Sequence, residues 1–313
     1  MNQKSRRNRK EAVLGRVQQE HTYLAIKELN EEGVASIRQL CDVAGIPRAS
    51  YYKWLKRTPP DEEILNEAIA EAILEIHDEY PDKGYRRIND DLLRIYGFQV
   101  SDNRVLRICR YLNIKSTIKY KREGCTISDK DPQHIAENIL DRDFHADAPN
   151  EKWLTDVTEF KYYVGPEKKK LYLSAILDLY DRRIVAYVIG DSNNNPLVYD
   201  TFEQAVALNP DAHPLFHSDR GFQYTSNVFH QKLLDHGMVQ SMSRVGRCID
   251  NGPMEGFWGI LKRERYYKHK YTSREEVVQM ITEYIDYYNN KRYQRRLGVL
   301  TPMEKHAQYL VAA

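Results

Sequence analysis

The sequence predicts an α/β protein in which all-α front domains precede a core built on a mixed five-stranded sheet with helices on both faces. From residue 151 the spacing of apolar residues changes from helical to strand-like. The predicted order is then three antiparallel strands over 153–163, 170–178 and 183–189, a helix over 195–207, a strand over 214–217, a helix over 226–234, a short segment over 239–242 and a helix over 253–266. This is the order of a ribonuclease-H-like fold.

The charge of the 313 residues is unevenly distributed, although the net charge is only +2. Residues 1–60 contain 12 basic and 6 acidic side chains, and residues 261–313 contain 11 and 6. The stretches between them have an acidic excess. Basic ends and an acidic middle favour a protein that holds a polyanion with both of its termini, around a centre loaded with metal ions. Two charged surfaces that only contact solvent would explain the same distribution of charge.

The cysteines and the absence of sorting signals indicate the cellular compartment in which we expect the protein. The four cysteines are far apart and form no paired spacing, which argues against a zinc site. The sequence shows no signal peptide and no apolar run long enough to cross a membrane. We therefore expect free thiols in a reducing cytoplasm and no membrane partner.

Three carboxylates stand in contexts that predict a metal site. Asp156 lies within a predicted strand, Asp219 follows the short apolar run 214–216, and Glu255 begins a helix after Pro253. Hard oxygen ligands of this kind suit divalent cations and leave room for water and phosphate. Two Mg²⁺ ions held this way can activate an attacking hydroxyl and stabilise the leaving oxygen of a phosphodiester. Asp250 and Asn251, in the loop before the helix of Glu255, are expected to cap it and to shape the entrance of the site.

Several motifs together resemble a known family. They are Trp153–Thr158, Asp178–Ala186, His217–Tyr224, Asp250–Glu255 with Lys262 seven residues later, Tyr287–Leu297 and Thr301–Glu304. These motifs are similar to the catalytic core of the DDE transposases of bacterial insertion sequences. The resemblance is to the group whose catalytic subunit is encoded in a second reading frame (OrfB-type) and whose core is similar to retroviral integrase.

The resemblance implies a polynucleotidyl transferase that cleaves insertion-element ends and transfers the 3′ hydroxyl to another phosphodiester. It implies that Asp156, Asp219 and Glu255 are the ligands of two Mg²⁺ or Mn²⁺ ions per active site, and that Lys262 is a catalytic basic residue close to the DNA end. The implied partners are double-stranded DNA (terminal inverted repeats and target), at least a second copy of the chain, and an upstream-frame fusion protein. Such an enzyme would act in the bacterial cytoplasm, at the nucleoid.

A helix-turn-helix pattern near the front of the chain predicts DNA binding. Apolar residues from Ile37 to Ala44 share one helical face, Gly45 supplies a turn, and Pro47 starts a second helix. The side chains expected to reach a DNA groove are Arg48, Ser50, Tyr51 and Lys53, whereas the packing residues are expected among Tyr52, Trp54 and Leu55. An ordinary helical hairpin is the alternative.

A second helical unit, winged or helix-turn-helix, is predicted after the linker that begins at Lys56. An acidic amphipathic helix is predicted over 61–79, and a later helix capped by Ser101 presents Arg104, Arg107 and Arg110 on one face. We predict that Arg104 and Arg107 contact DNA and that Arg265, beyond Lys262, meets backbone phosphates. A helical spacer with solvating arginines is the alternative.

The predicted domain boundaries follow these elements. They are 1–58 for the basic tail and helix-turn-helix domain, 61–116 for the second helical DNA-binding domain, 117–150 for a connector, 151–270 for the catalytic core, and 271–313 for a C-terminal basic helix and tail. The tyrosines of this C-terminal helix are expected to pack on the core. Its basic side chains, among them Arg292 and Arg295, are expected to hold DNA.

Two residues and two rival functions remain open at this level. His217 could touch substrate, but a buried, hydrogen-bonded histidine is favoured, and Asp178 is the rival of Asp156 as a ligand because it ends a strand. A DNA-binding regulator with an inactive core would share the helix-turn-helix, but it gives no reason for three intact carboxylates. A ribonuclease-H-type nuclease would not require two DNA-binding units ahead of its core.

Overall fold

The computed structural model describes residues 22–58, 60–118 and 133–312, apart from the side chain of Cys248. The chain divides into two compact units between Ala68 and Ile69. The predicted basic tail over residues 1–15 lies outside the described residues, as does the stretch 119–132 of the predicted connector. Among the described helices, none has the length and apolarity needed to span a bilayer.

The first unit contains the predicted pair of helices. Its helices are the described part of α1 (residues 22–31), α2 (Ile37–Ala44) and α3 (Arg48–Leu55). Ser36 starts α2 with a capping box, because its hydroxyl accepts from the Gln39 amide and the Gln39 side chain accepts from the Ser36 amide. Gly45 ends α2 with φ 65°, a conformation that costs a residue without a side chain little. The predicted turn glycine is therefore confirmed.

Three further helices precede the sheet: α4 (Asp61–Glu79), α5 (Tyr85–Tyr96) and α6 (Asp102–Tyr111). Helix α4 has the bounds that its apolar spacing predicted. Gly97 ends α5 in the left-handed conformation, and the Ser101 side chain caps α6 by accepting from the Arg104 amide. Helices α5 and α6 belong to the same compact unit as the sheet.

The sheet has five strands in the order β3-β2-β1-β4-β5. The strands are β1 (Lys152–Val164), β2 (Glu167–Asp178), β3 (Ile184–Gly190), β4 (Leu215–Ser218) and β5 (Val239–Met242). Strands β1, β2 and β3 pair antiparallel, whereas β4 runs parallel to both β1 and β5. The predicted mixed ribonuclease-H-like sheet is confirmed.

Helices cover both faces of the sheet. They are α7 (Asn195–Leu208), α8 (Asn227–Asp235), α9 (Gly252–Glu264), α10 (Arg274–Asn290) and α11 (Pro302–Ala312). Successive residues of a strand point to opposite faces, and Trp153 therefore packs with the side chains of α7 and α8 while Leu154 packs with those of α9 and α10. Tyr284, Tyr287 and Tyr288 of α10 are buried in this second core, as predicted.

A buried ion network joins α5, α9 and the end of α10 within the second unit. Glu264, the last residue of α9, is 3% exposed. Its carboxylate accepts from Arg87 of α5 at 2.8 Å, from Arg292 at 2.9 Å and from the Tyr284 hydroxyl at 2.9 Å. Arg295 pairs in the same way with Asp90 and Asp102. Both guanidinium groups, which were predicted to hold DNA, bind carboxylates of the chain itself, so a phosphate would compete with these contacts.

Replacing Glu264 by Gln keeps the shape of the side chain and removes the charge that Arg87 and Arg292 face. We expect the free energy of unfolding to fall by about 3–5 kcal/mol, because two poorly solvated guanidinium groups lose a partner. Urea unfolding measures this. Glu283→Gln, on the exposed side of α10, is the control and should change stability by less than about 0.5 kcal/mol.

The comparison of the wild type with Glu264→Gln also predicts how stability depends on pH. Burial raises the pKa of Glu264, but the charges of Arg292 and Arg87 outweigh burial and leave the pKa below its ordinary 4.5. A carboxyl group whose pKa is lower in the folded state than in the unfolded state stabilises the fold fully at pH values above its unfolded pKa. This stabilisation is lost as the pH falls through the folded pKa. The stability difference between wild type and Glu264→Gln should therefore shrink only on acidification below about 4.5. A difference that grows on acidification would contradict this account.

Candidate active site

Asp156 and Asp219 lie at the same edge of the sheet because β1 and β4 run parallel. The register pairs Leu154 with His217, and two further residues along each chain lead to Asp156 and Asp219. Asp219 follows directly after the last residue of β4. Both carboxylates are half-buried.

Glu255 reaches this edge from the first turn of α9, where it is exposed. Asn251, directly before the helix, donates its side-chain amide to the Thr155 carbonyl at 3.0 Å. Thr155 precedes Asp156 on β1, and the bond therefore fixes the start of α9 beside the strand of Asp156. The expectation that Asn251 caps the helix is wrong, because its side chain bonds to the strand instead.

Asp250 has a different role from the predicted cap. Its side chain is fully buried. It accepts from Nε of Arg142 at 2.7 Å and from Nε of Arg244 at 2.8 Å. The hydrogen bonds from Arg244, together with those from Arg142, hold the pKa of Asp250 well below its usual range. This ion cluster ties the segment 133–150 to the loop between β5 and α9.

Burial raises the pKa of all three carboxylates, and neighbouring negative charge adds to the rise at Asp156 and Glu255. Burial, followed by the charges of Asp219 and Glu255, raises the pKa of Asp156 to about 8. Burial also raises the pKa of Asp219, and burial and the Asp219 charge raise that of Glu255. The side chains are therefore close enough to repel when all are ionised, and a bound cation would relieve that repulsion.

The donor chemistry of this cluster fits a hard divalent cation, although its oxygens are engaged by the protein. Oδ1 of Asp156 accepts from the Val157 amide at 2.8 Å, and Oδ2 accepts from the Trp258 indole at 3.0 Å. Oδ1 of Asp219 accepts from the Gly221 amide at 2.8 Å. Across the described ranges, no three His, Cys, Asp or Glu side chains form a ready-made metal site. A cation would therefore have to draw these carboxylates together.

Lys262 lies on α9, seven residues after Glu255, and two helical turns place both on one face. Its ammonium group stands 5.4 Å from the centroid of the Phe160 ring, on the strand of Asp156. Lys262 therefore lies next to β1, the strand that carries Asp156. Gly259, between them on the helix, faces the Arg263 guanidinium, which a Cβ would meet at 3.0 Å.

The two residues left open by the sequence are both structural. His217 is fully buried, with Ser241 Oγ at 2.8 Å from Nδ1 and Ser243 Oγ at 3.1 Å from Nε2, which confirms the favoured prediction. Asp178 is also fully buried, and it accepts backbone N–H bonds from Asn150 at 2.6 Å and from Tyr180 at 2.8 Å. It therefore ends its strand as a turn-forming acceptor.

The predicted DNA contacts differ in accessibility. Arg48, Lys53 and Arg107 are exposed, and Ser50 and Arg104 are half-buried. Arg265 pairs with Asp82 at 3.3 Å and lies over the Tyr287 ring, so a phosphate would compete with these contacts.

Tyr51 is wrongly assigned to the DNA-facing set. It is 2% exposed and packs with Ile26 and Cys41, whereas Tyr52, expected among the packing residues, is 43% exposed. The helical face of α3 is therefore rotated by one residue from the prediction. The Trp54 ring, stacked on Tyr23, completes the small core.

Trp258 was missed by sequence reasoning. It is buried, and its indole nitrogen is the side-chain donor to Asp156. The available signal was its position three residues after Glu255, on the same side of the helix. An apolar interpretation of the run from Phe257 to Leu261 concealed it.

Family models match most of the chain between residues 65 and 310. Two models described as integrase core domain match residues 146–248 and 255–310, and one described as HTH-like domain matches residues 65–122. Asp156 and Asp219 fall in the first match and Glu255 and Lys262 in the second.

Relatives along the whole chain agree with these models. InsK of insertion sequence element IS150 from Escherichia coli K12 is 37% identical over 286 residues, covering 90% of this chain and 98% of that protein. An uncharacterized transposase-like protein of Haemophilus influenzae is 41% identical and covers 68% and 95%. The transposase of IS904 from Lactococcus lactis is 31% identical and covers 80% and 98%.

The fold and the relatives together define a class of protein: a DNA transposase with an integrase-type catalytic core. The chain belongs to the insertion-sequence transposase family that includes the IS150 and IS904 proteins. The catalytic core of HTLV-2 integrase is 20% identical with a TM-score of 0.41, covering 52% of this chain and 99% of that one. That value is too low to add to the argument.

The adjacent tyrosines of α3 provide a matched test of the corrected helix face. Tyr51→Ala should destabilise the helix-turn-helix by about 3–5 kcal/mol, because it removes the largest fully buried side chain of a small core. Tyr52→Ala should change stability by less than about 0.5 kcal/mol. Hydrogen exchange of residues 22–58 in the intact chain measures both effects. Equal protection in the two variants would contradict the corrected face.

Proposed function

We propose that this transposase cuts and joins DNA at a single active site formed by Asp156, Asp219 and Glu255. Water attacks the phosphodiester at the end of the element, the bond from phosphorus to the 3′ oxygen breaks, and a 3′ hydroxyl is released. That hydroxyl then attacks a second phosphodiester in line, which forms one phosphorus–oxygen bond and breaks another. No protein nucleophile is required.

The observation that carries this proposal is the electrostatic coupling of three carboxylates from three separate elements. Two come from paired parallel strands and one from a helix. Burial raises all three pKa values, and the charge of Asp219 contributes to the rise at the other two carboxylates. Perturbed carboxylates that meet at a sheet edge are a candidate functional site. Two Mg²⁺ or Mn²⁺ ions bound there would supply activation of the attacking hydroxyl and stabilisation of the leaving oxygen.

The remaining residues are proposed to bind and orient DNA. Lys262, on the face of α9 that carries Glu255, would hold a phosphate of the DNA end next to the carboxylates. Arg265 would do so after leaving Asp82. Arg48, Ser50 and Lys53 of α3 would contact a groove, and Arg104 and Arg107 of α6 would contact the backbone.

The proposed assembly follows from the chemistry of two element ends. Joining two ends in one reaction requires at least two copies of the chain on paired terminal repeats, and a target duplex as the second substrate. An upstream-frame fusion partner would add further DNA-binding segments. We propose that the reaction takes place in the bacterial cytoplasm, at the nucleoid.

A cleavage and strand-transfer assay on labelled DNA carrying the element's ends tests this function. With Mg²⁺, the wild type should yield cut and joined products, and Asp219→Asn and Glu255→Gln should abolish both while gel-shift binding survives. Asp200→Asn, which changes an exposed carboxylate on α7, is the matched control and should retain activity.

The other outcomes of this assay separate the rival functions. Cutting without joining would indicate a nuclease. Binding without cleavage in any divalent metal would indicate a regulator, and joining by Asp219→Asn would exclude the proposed site.

Lys262 is testable through the salt dependence of binding. A lysine that neutralises one phosphate contributes about one unit to the slope of log affinity against log salt concentration, whatever the DNA sequence. Lys262→Ala should therefore lower that slope by about one. Lys305→Ala, on α11, should leave it unchanged. An unaltered slope for Lys262→Ala would argue against a phosphate contact.

A further inference from the structure

Trp258 connects the helix that carries Glu255 to the strand that carries Asp156. Its side chain is 6% exposed, and its indole nitrogen donates to Oδ2 of Asp156 at 3.0 Å. Trp258 follows Glu255 by three positions, which places both on the side of α9 that faces the carboxylates.

A second bond from the same end of α9 reaches the neighbouring residue of β1. The Asn251 side chain donates to the Thr155 carbonyl at 3.0 Å, and both residues are buried. The two donors stand on either side of Glu255 in the sequence, and their acceptors are consecutive residues of the strand. Sliding or rotation of α9 along β1 would break both bonds, so the pair sets the distance from Glu255 to Asp156.

The bond from Trp258 leaves Asp156 able to bind a cation. Each carboxylate oxygen offers about two lone-pair positions, so Oδ2 can accept the indole N–H and still face a metal ion. The indole is an uncharged donor and therefore orients the carboxylate without neutralising it. Partners of this kind around metal ligands commonly fix the orientation of the ligand.

Packing fixes the direction of the indole itself. The Trp258 ring lies 5.1 Å from that of Phe257, between centroids, and Phe257 packs edge-on against Tyr288 of α10 at 4.7 Å. All three belong to the core between the sheet and α9 and α10. A ring held on its faces by this core keeps its N–H aimed at the strand.

We infer that Trp258 is a positioning residue that orients Oδ2 of Asp156 for a divalent cation and sets the spacing between Asp156 and Glu255. The inference rests on the proposed function, because a positioned carboxylate has a purpose only if Asp156 is a ligand. Trp258 acts through Asp156 and has no proposed contact with DNA.

The test measures metal binding without catalysis, as the rise in the thermal unfolding midpoint of the full chain with Mn²⁺ concentration. Trp258→Phe keeps an aromatic ring and removes the N–H, and it should need roughly tenfold more Mn²⁺ for half of the rise. Phe202→Leu is the matched control, a fully buried aromatic of the core on the other face of the sheet, away from Trp258 and Asp156. It should lower the midpoint without metal and keep the wild-type Mn²⁺ dependence.

The variants separate failure of this inference from failure of the proposed function. If Asp219→Asn loses the Mn²⁺ effect and Trp258→Phe keeps the wild-type dependence, the metal site stands and the role of Trp258 is overturned. If the wild type shows no Mn²⁺ effect, both proposals are overturned. Should Trp258→Phe not fold, Asn251→Ala breaks the second bond and should also require more Mn²⁺, and an unchanged dependence would refute the inference.

Discussion

The parallel pairing of β1 with β4 is the constraint on which the candidate site depends. This pairing brings the carboxylates of Asp156 and Asp219 to one edge of the sheet, where burial and proximity oppose their ionisation. Apolar packing on both faces of the sheet holds the strands in this register. The fold thus holds carboxyl groups with raised pKa values close together, and such perturbed groups are typical of functional sites.

The chain treats its other buried acids differently. Glu264 and Asp250 are as deeply buried as any acid of the core, yet arginines surround them and keep their pKa values low. Asp178 has a pKa raised to about 6 by burial and by Asp181, but backbone amides occupy both of its oxygens. Asp156 and Asp219 have no such cationic partner among the contacts of the described residues. The balanced clusters support the structure, and the unbalanced one is the site that we propose binds metal ions.

The sequence was sufficient to predict the order of helices and strands, because the spacing of apolar residues and the residues that begin or end helices act locally. Apolar alternation predicted the strands of the core, and Gly45 and Ser101 marked a helix end and a helix start that the structure confirms. The approach of Asp156, Asp219 and Glu255 could be predicted from the topology, since parallel strands bring equivalent positions to one edge.

Contacts between distant elements could not be predicted in this way. The pairing of Arg292 with Glu264 and of Arg295 with Asp90 depends on how α10 docks, which no local pattern encodes, and both arginines were therefore assigned to DNA. Tyr51 and Tyr52 are adjacent and chemically equal, so a small error in the helical phase exchanged their roles. The bond from Trp258 to Asp156 requires the final position of α9 against β1.

The most direct test of the central claim is a crystal structure of the chain with Mn²⁺ and a duplex carrying the element's end, with metal positions located by anomalous scattering. The account predicts two metal peaks between the carboxylates of Asp156, Asp219 and Glu255, next to the terminal phosphodiester. Metal bound elsewhere, with these three carboxylates apart and the DNA end away from them, would contradict it.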